Sequence, residues 1–233
     1  MNLKQRNLEE IANRTLDHYN QRAEAFWEGT REHDVTQNIA AMLQHIAADV
    51  PLTLLDFGCG PGRDLKVFAG LGHIAIGLEG SARFTAMARS HSGCAVWQQD
   101  FLKLDLPDQY FDGVFANATL FHVPSQELPR VLRELHACLK PGGVLFSSIP
   151  RGHNEEGWND GRYGVFHGGM AALWIRGGIC RTYSLLPPRR TSARKAALAS
   201  ERLAPVGILA LFCLYLLLSE IREIAARCRG PAP

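Results

Sequence analysis

The chain has 233 residues, 46% of them apolar, which is enough for one domain with a full core or for a domain with an appendage. Its formal net charge is +2, but residues 1–160 carry −6 and residues 161–233 carry +8, so the two parts differ in character. Six cysteines without a Cys-x-x-Cys pair exclude the common zinc motifs and favour a reducing compartment, and the polar first 22 residues do not resemble a signal peptide. We therefore expect a cytoplasmic protein without a metal ion.

The first fifty residues predict a helical cap, residues 1–50. Apolar side chains from Leu8 to Phe26 recur at helical spacing, which is typical of an amphipathic helix, and Gly29 ends that run. A second helix is predicted over residues 36–48, and Pro51 breaks it.

Residues 52–149 alternate between short apolar runs and helical runs, which predicts an α/β domain over residues 51–167 with a Rossmann-like, doubly wound parallel sheet. The predicted strands are Leu52–Phe57, His73–Glu79, Ala95–Gln99, Phe111–Asn117 and Gly143–Ile149. The predicted helices are Gly62–Leu71, Ser81–Ser90 and Ser125–Leu139, with Ser81 and Ser125 as N-caps. Ligands of such sheets bind beyond the carboxyl ends of the strands.

The first strand runs into a glycine-rich turn. Asp56 ends the strand, and glycines follow at alternate positions, Gly58, Gly60 and Gly62. Uncovered backbone N–H groups at such a turn let a ligand lie against the main chain at the start of a helix. The dinucleotide fingerprint Gly-x-Gly-x-x-Gly needs its third glycine at position 63, where this chain has Arg63. The turn therefore favours S-adenosylmethionine over NAD, and a purely structural turn is the alternative.

Polar side chains follow the next three predicted strands. Glu79 lies 21 residues after Gly58, where a carboxylate can accept hydrogen bonds from a ribose diol. Asp100 can accept from an adenine amino group, and Phe101 can cover the ring. Each acidic residue alone is also an ordinary choice for a turn or a helix start.

The fourth predicted strand ends at Asn117, where backbone carbonyls can take the ammonium group of a ligand. His122 follows closely and would face the reaction site. A lone histidine is more often structural than catalytic, so the two roles of His122 stay open.

These features in this order resemble the class I S-adenosylmethionine-dependent methyltransferases over residues 35–150. The segments that carry the resemblance are Leu55 to Gly62, Glu79, Asp100-Phe101, Phe111-Asp112-Gly113-Val114 and Leu139-Lys140-Pro141-Gly142-Gly143. The resemblance implies that the glycine turn meets the methionine part of the cofactor, that Glu79 binds the ribose and that Asp100 reads the adenine. The expected cofactor-binding residues are Asp56, Gly58, Gly60, Gly62, Glu79, Asp100, Phe101 and Asn117.

Further segments resemble a narrower subgroup, which includes the methyltransferase domain of the 5-histidylcysteine sulfoxide synthases of ovothiol biosynthesis. They are Asp17-His18-Tyr19-Asn20, Phe26 to Arg31, His33-Asp34-Val35, Gln37-Asn38, Phe121 to Glu127 and Pro150-Arg151-Gly152. This resemblance implies a small-molecule acceptor with an imidazole or thiol.

Methyl transfer needs alignment of the acceptor more than it needs a metal. Tyr19, Trp27 and Arg31 are candidate substrate residues, and packing on the sheet is their alternative role. Arg31 or Arg151 could pair with a carboxylate of an amino-acid-like acceptor. His122 is the candidate base for an acceptor that needs one.

Other functions fit the sequence less well. A cofactor-binding protein without a complete acceptor site is the main alternative to an enzyme, and an NAD-dependent oxidoreductase is disfavoured by Arg63. Nucleic-acid binding is not expected, because the basic residues lie in the tail without interleaved aromatic residues.

Residues 168–233 depart from the family's pattern. The fold normally continues with a helix and two more strands, one of them antiparallel, but no alternating run long enough for two core strands follows His167. We therefore expect an atypical basic tail in place of these strands, which would leave the edge of the sheet open. A change of reading frame near His167 explains both the charge asymmetry and the loss of resemblance, and translation of the other frames tests it. A lineage-specific tail is the competing explanation.

The tail contains residues 203–218, a run of 16 residues without a charge. As a helix it would span about 24 Å, short of the roughly 30 Å hydrocarbon core of a membrane. A marginal membrane helix, a helix packed on protein and an accidental apolar segment are the three interpretations.

Overall fold

The computed structural model describes the backbone of residues 3–150, 155–166, 172–176 and 179–183 and the side chains of residues 7–150 and 155–166. Its helices are α1 (Leu3–Gln21), α2 (Ala23–Thr30), α3 (Thr36–Leu43), α4 (Arg63–Gly70), α5 (Ala82–Ser92) and α6 (Leu128–Ala137), with a short 3-10 helix at Leu120–His122. Its strands are β1 (Thr53–Phe57), β2 (Ile74–Glu79), β3 (Ala95–Gln98), β4 (Phe111–Asn117), β5 (Leu139–Ser148), β6 (Glu155–Asn159), β7 (Arg162–Phe166), β8 (Ala172–Arg176) and β9 (Ile179–Tyr183).

Seven of the described strands form one sheet in the order β3-β2-β1-β4-β5-β8-β9. Strands β1 to β5 pair in parallel, as the alternating pattern of the sequence predicts. The strand order reverses between β1 and β4, so the ligand crevice of this fold lies beyond the carboxyl ends of these two central strands. Strands β6 and β7 form a separate antiparallel hairpin.

The core lies on both faces of the sheet, because the strands β1, β2 and β4 are buried on both sides over most of their length. Along β1, Leu55 packs in the cluster that contains the apolar face of α6, whereas its neighbour Leu54 packs in the cluster formed by α3, α4 and α5. Phe115 on β4 stacks on Phe146 of β5 within the second cluster, with ring centroids 5.0 Å apart. The fold is therefore doubly wound, as predicted.

The helix boundaries agree only in part with those predicted from the sequence. Ser81 is the N-cap of α5, and its hydroxyl oxygen accepts the Phe84 N–H at 3.1 Å. The predicted N-cap Ser125 is wrong, because α6 begins only at Leu128 with Pro129 in its first turn, a position that suits proline. The second helix is also shorter than predicted, since α3 ends at Leu43.

The expectation that no core strand follows residue 167 is wrong, because Ala172–Arg176 and Ile179–Tyr183 form strands of the sheet. Strand β8 pairs antiparallel with β5, and β9 pairs antiparallel with β8, so the sheet continues past β5 with two strands, one of them antiparallel to β5. Each strand has only five residues, which is too short for a clear alternation. The Gly177-Gly178 dipeptide between them was the available hairpin signal in the sequence.

Among the residues that the structure describes, no helix has the length and apolar character needed to cross a membrane. The apolar segment 203–218 and the rest of the predicted tail beyond Tyr183 lie outside the described residues. The hypothesis of a changed reading frame near His167 remains a prediction.

Candidate cofactor site

The glycine turn lies at the switch point between β1 and β4. The N–H groups of Gly58 and Cys59 both donate to the Leu78 carbonyl oxygen, at 2.8 and 3.1 Å, so the turn is tied to the end of β2. Gly58 has a φ of +74°, and a Cβ there would overlap the side chain of Thr119. Gly62 has a φ of +91°, and its Cβ would lie 2.8 Å from the Ala88 Cα. Only glycine fits these two positions.

Glu79 joins the turn to the start of α5. Its Oε2 accepts the Gly60 N–H at 3.0 Å, and its Oε1 accepts the Ser81 N–H at 2.8 Å. Burial raises the pKa of Glu79 to about 7, and these backbone N–H groups act against that shift. The carboxylate is thereby held beside the glycine turn.

A single pocket collects most of the predicted residues. Counted together with the open solvent at its mouth, the empty space of this pocket is about 710 Å³. Seven predicted site residues line it: Tyr19, Gly58, Gly60, Glu79, Asp100, Phe101 and His122. At the predicted adenine end, Asp100 accepts the Leu102 N–H at 2.9 Å, and the Phe101 ring packs on Phe57 with centroids 4.5 Å apart.

Asp56 and Asn117 lie below the turn and do not line the pocket. Burial, and then the negative charge of Asp64, raise the pKa of Asp56 well above its usual range. Asn117 donates to Asp64 at 3.2 Å, and its side-chain oxygen accepts from Asn38 at 3.0 Å and Ser148 at 2.6 Å. Asn117 thus belongs to a polar network beneath the turn, Asp56 is buried close to Asp64 of that network, and Gly62 acts by close packing.

Trp27 and Arg31, two of the predicted substrate residues, lie away from this pocket. The Trp27 ring packs edge-on against His91 in a groove between α2 and α5, with centroids 4.7 Å apart. Arg31 is exposed and pairs with Glu28 and Glu32. The adjacent Phe26 lines the pocket instead, because successive side chains on a helix point about 100° apart.

Helix α1, the first helix of the predicted N-terminal helical cap, lies along the pocket. It adds Ile11, Ala12, Thr15 and Leu16 to the lining, beside Tyr19. Their helical spacing was visible in the sequence, but it did not show which surface the stripe meets. Phe84 and Thr119 also line the pocket, and no local pattern marks either.

His122 is buried at the wall of the pocket and has a partner on each ring nitrogen. Its Nδ1 lies 2.7 Å from the Tyr163 carbonyl oxygen, and its Nε2 lies 2.7 Å from the Tyr19 hydroxyl. Burial lowers the pKa of His122 to about 4. Arg162 donates to the Tyr19 oxygen at 3.2 Å. Tyr163 and Arg162 come from the β6–β7 hairpin, for which the sequence held no functional signal.

Residues 55–147 match the family model described as a methyltransferase domain. Trans-aconitate 2-methyltransferase of Azoarcus sp. (strain BH72) is 32% identical over 118 residues, which are 49% of this chain and 45% of that protein. The chain thus spans about half the length of the curated relatives it matches.

Residues 55–147 are thus similar to a methyltransferase domain. Such domains of class I use S-adenosylmethionine as the methyl donor.

Solved structures support the fold of this methyltransferase domain. The structure titled DhpI-SAH complex aligns with a TM-score of 0.57 at 22% identity over 78% of this chain and 99% of that one. The Burkholderia thailandensis 1,6-didemethyltoxoflavin-N1-methyltransferase aligns with a TM-score of 0.56 at 18% identity over 72% and 75% of the two chains. At these identities the similarity concerns the fold alone.

Proposed function

We propose that this chain transfers the methyl group of S-adenosylmethionine to a small molecule. The observation that carries the proposal is the meeting, in one pocket, of the glycine turn, the two predicted carboxylates and the aromatic end of α1. Glycine turns and acidic strand ends serve the cofactor, whereas the aromatic and histidine side chains lie where an acceptor would be aligned.

The residues present fit S-adenosylmethionine. Gly58 and Gly60 adopt positive φ, so a ligand can approach their backbone closely. Glu79 offers carboxylate oxygens for the ribose hydroxyls, and Asp100 with Phe101 offers an acceptor and a ring for the adenine. The bound cofactor would supply an activated methyl group for in-line displacement.

The protein's own contribution is to enclose and align the acceptor. Helix α1 lines the pocket, and the β6–β7 hairpin holds α1 in place through the Tyr163 N–H, which donates to the Thr15 hydroxyl at 3.0 Å. Excluding water and fixing orientation are the main sources of rate enhancement in a reaction that needs little acid–base help.

We further propose an imidazole or thiol of a histidine-derived molecule as the acceptor. The support is the resemblance of the Tyr19, Phe26 and Phe121–Glu127 segments to the ovothiol-type domains. In the structure Tyr19, Phe26 and His122 line the same pocket. Association with a membrane through residues 203–218 stays a separate prediction.

Calorimetric titration of the full-length chain with S-adenosylmethionine tests the cofactor site, with NAD as the control ligand. We expect saturable binding that weakens at least about tenfold in Glu79→Ala, because hydrogen bonds to a charged group are lost. Asp49→Ala, a change of an exposed carboxylate before β1, should bind like the wild type. A folded sample that does not bind S-adenosylmethionine would contradict the proposal.

Transfer of a labelled methyl group to histidine and to thiol-bearing histidine derivatives tests the acceptor. Turnover supports an enzyme. Binding of the cofactor without turnover on any acceptor would instead favour the alternative, a cofactor-binding protein without a complete acceptor site.

A further inference from the structure

The protonation of His122 follows from its partners. A backbone carbonyl can only accept a hydrogen bond, so the 2.7 Å contact with the Tyr163 oxygen places the proton of the imidazole on Nδ1. The ring is neutral, because burial opposes a second proton. Its Nε2 therefore carries a free lone pair, and the Tyr19 hydroxyl donates a hydrogen bond to that nitrogen at 2.7 Å.

Toward any group other than His122, the Tyr19 oxygen can therefore only accept a hydrogen bond. Its proton is used by His122, and one lone pair accepts the Arg162 N–H at 3.2 Å. A phenol oxygen has one further lone pair. Burial raises the pKa of Tyr19 and keeps the phenol protonated, while the positive charge of Arg162 acts in the opposite direction.

Tyr19 is placed to use that lone pair inside the pocket. The Tyr19 ring packs edge-on against Phe26 and tilted against Phe84, with centroids 5.8 and 5.4 Å apart, and all three rings line the pocket. Phe26 in turn lies against the glycine turn, with a ring carbon 3.9 Å from the Cβ position of Gly60. The Tyr19 side chain thus lies in the pocket close to the glycine turn, with its oxygen against His122, which also lines the pocket.

We propose that the Tyr19 oxygen accepts a hydrogen bond from an N–H of the methyl acceptor and so aims the acceptor's lone pair at the methyl group. Tyr19 is then a catalytic residue, whereas His122 and the Tyr163 carbonyl are positioning groups. Together they direct the Tyr19 hydroxyl proton toward His122 and not toward the acceptor. The inference rests on the proposed function and narrows its substrate class to imidazoles and amines, whose nitrogen lone pair attacks without a base.

The reaction balances without a proton transfer to His122. The acceptor atom forms a bond to the methyl carbon as the carbon–sulfur bond breaks, and the positive charge of the sulfonium passes to the acceptor. The acceptor keeps its proton, hydrogen-bonded to Tyr19, so the product leaves the pocket as a cation and loses the proton in solution. A tyrosine that pointed its own proton into the pocket would compete for the acceptor's lone pair and hinder the transfer.

The hydrogen-bond arrangement can be tested without any acceptor. Nitrogen-15 NMR of histidine-labelled full-length protein, with His122 assigned through His122→Gln, should show the Nδ1–H tautomer. Tyr19→Phe should shift the Nε2 resonance of His122, whereas Tyr110→Phe, a change at an exposed ring, should leave it in place. The Nε2–H tautomer would overturn the proposal, because Tyr19 would then direct its proton into the pocket.

The substrate class is tested by methyl transfer to L-histidine, which offers an imidazole N–H, and to trans-aconitate, which at neutral pH offers only carboxylates. We expect Tyr19→Phe to lower kcat/KM for histidine by at least about tenfold and to leave the affinity for S-adenosylmethionine within about twofold. Equal kcat/KM values for histidine in the wild type and in Tyr19→Phe, or turnover of trans-aconitate alone, would overturn the inference. Absence of turnover with both compounds would contradict the proposed histidine-derived acceptor, while the tautomer of His122 separately decides the hydrogen-bond arrangement.

Discussion

At the scale of single residues, the site depends on carboxylates and glycines placed under constraint. Glu79 is buried, and two backbone N–H groups, one donating to each carboxylate oxygen, fix the orientation of its side chain. Gly62 is left-handed and lies against α5, so it sets how closely α4 and α5 pack. Both residues were predicted as cofactor-binding, and only Glu79 lines the pocket.

The affinity for S-adenosylmethionine should rise with pH through about 7 and then level off. The pKa of Glu79 is raised to about 7 by burial, and the ionised carboxylate is the better acceptor for two ribose hydroxyls. Calorimetric titrations between about pH 5.5 and 8 check this, with the largest possible change being about tenfold per pH unit. Glu79→Gln should bind more weakly at pH 8 and lose this dependence, and a wild-type affinity that does not change with pH would contradict the assignment.

Gly62→Ala should lower the free energy of unfolding by about 2 to 4 kcal/mol, because it adds left-handed strain and a clash with the α5 backbone. Gly70→Ala, at the other end of the same helix, has open space around its Cβ and should be neutral or stabilise by up to about 1 kcal/mol. Urea unfolding of both variants provides the measurement. Equal effects would show that the contact with Ala88 is unimportant.

At the scale of elements, one end of the sheet carries the ligand pocket and the other end carries a structural ion pair. Asp112 on β4 accepts the Thr53 N–H of β1 at 2.7 Å and both of its oxygens lie within 3.0 Å of the Lys140 ammonium of β5. It therefore links the three central strands at their amino-terminal ends, far from the pocket.

Asp112→Ala should destabilise the fold by about 2 kcal/mol, because it leaves the Thr53 N–H without its acceptor and removes a charge-assisted bond. The affinity for S-adenosylmethionine should stay within about twofold of the wild-type value. Lys140→Met should cost less than about 1 kcal/mol, because the Lys140 side chain is 41% exposed. Chemical unfolding and calorimetry measure the two quantities, and a loss of binding at unchanged stability would refute this division of roles.

At the scale of the whole molecule, two buried ionisable groups of the pocket oppose each other as the pH changes. The pKa of His122 is lowered from 6.5 to about 4, so between these values the unfolded chain binds a proton that the folded chain does not. The pKa of Glu79 is raised from 4.5 to about 7, so there the folded chain holds the extra proton. The stability due to His122 falls as the pH falls, and that due to Glu79 falls as the pH rises.

Single variants should reveal these two opposite slopes. Relative to His122→Gln, the wild type should lose up to about 3 kcal/mol as the pH falls from 6.5 toward 4. Relative to Glu79→Gln, it should lose up to about 3 kcal/mol as the pH rises from 4.5 to 7. Urea unfolding at several pH values gives both differences, and parallel pH profiles of either variant and the wild type would rule out the corresponding buried charge effect.

The sequence by itself determined the parallel sheet, the glycine turn and the carboxylates that follow its strands. Apolar runs, glycine spacing and the distance from Gly58 to Glu79 are local features, and parallel strands bring their carboxyl ends to one edge whatever the detailed packing. The short strands β8 and β9 were not predicted, because five residues are too few to show an alternating pattern.

Only the tertiary structure decided which side chains complete the pocket. Tyr19 meets His122 across 103 positions and Arg162 across 143, and no local period encodes such contacts. The phase of α2 turned Trp27 outward and Phe26 inward, a difference of one residue on a helix. The role of His122 depended in the same way on a carbonyl from a distant hairpin, because hydrogen-bond partners, and not residue type, determine which nitrogen carries the proton.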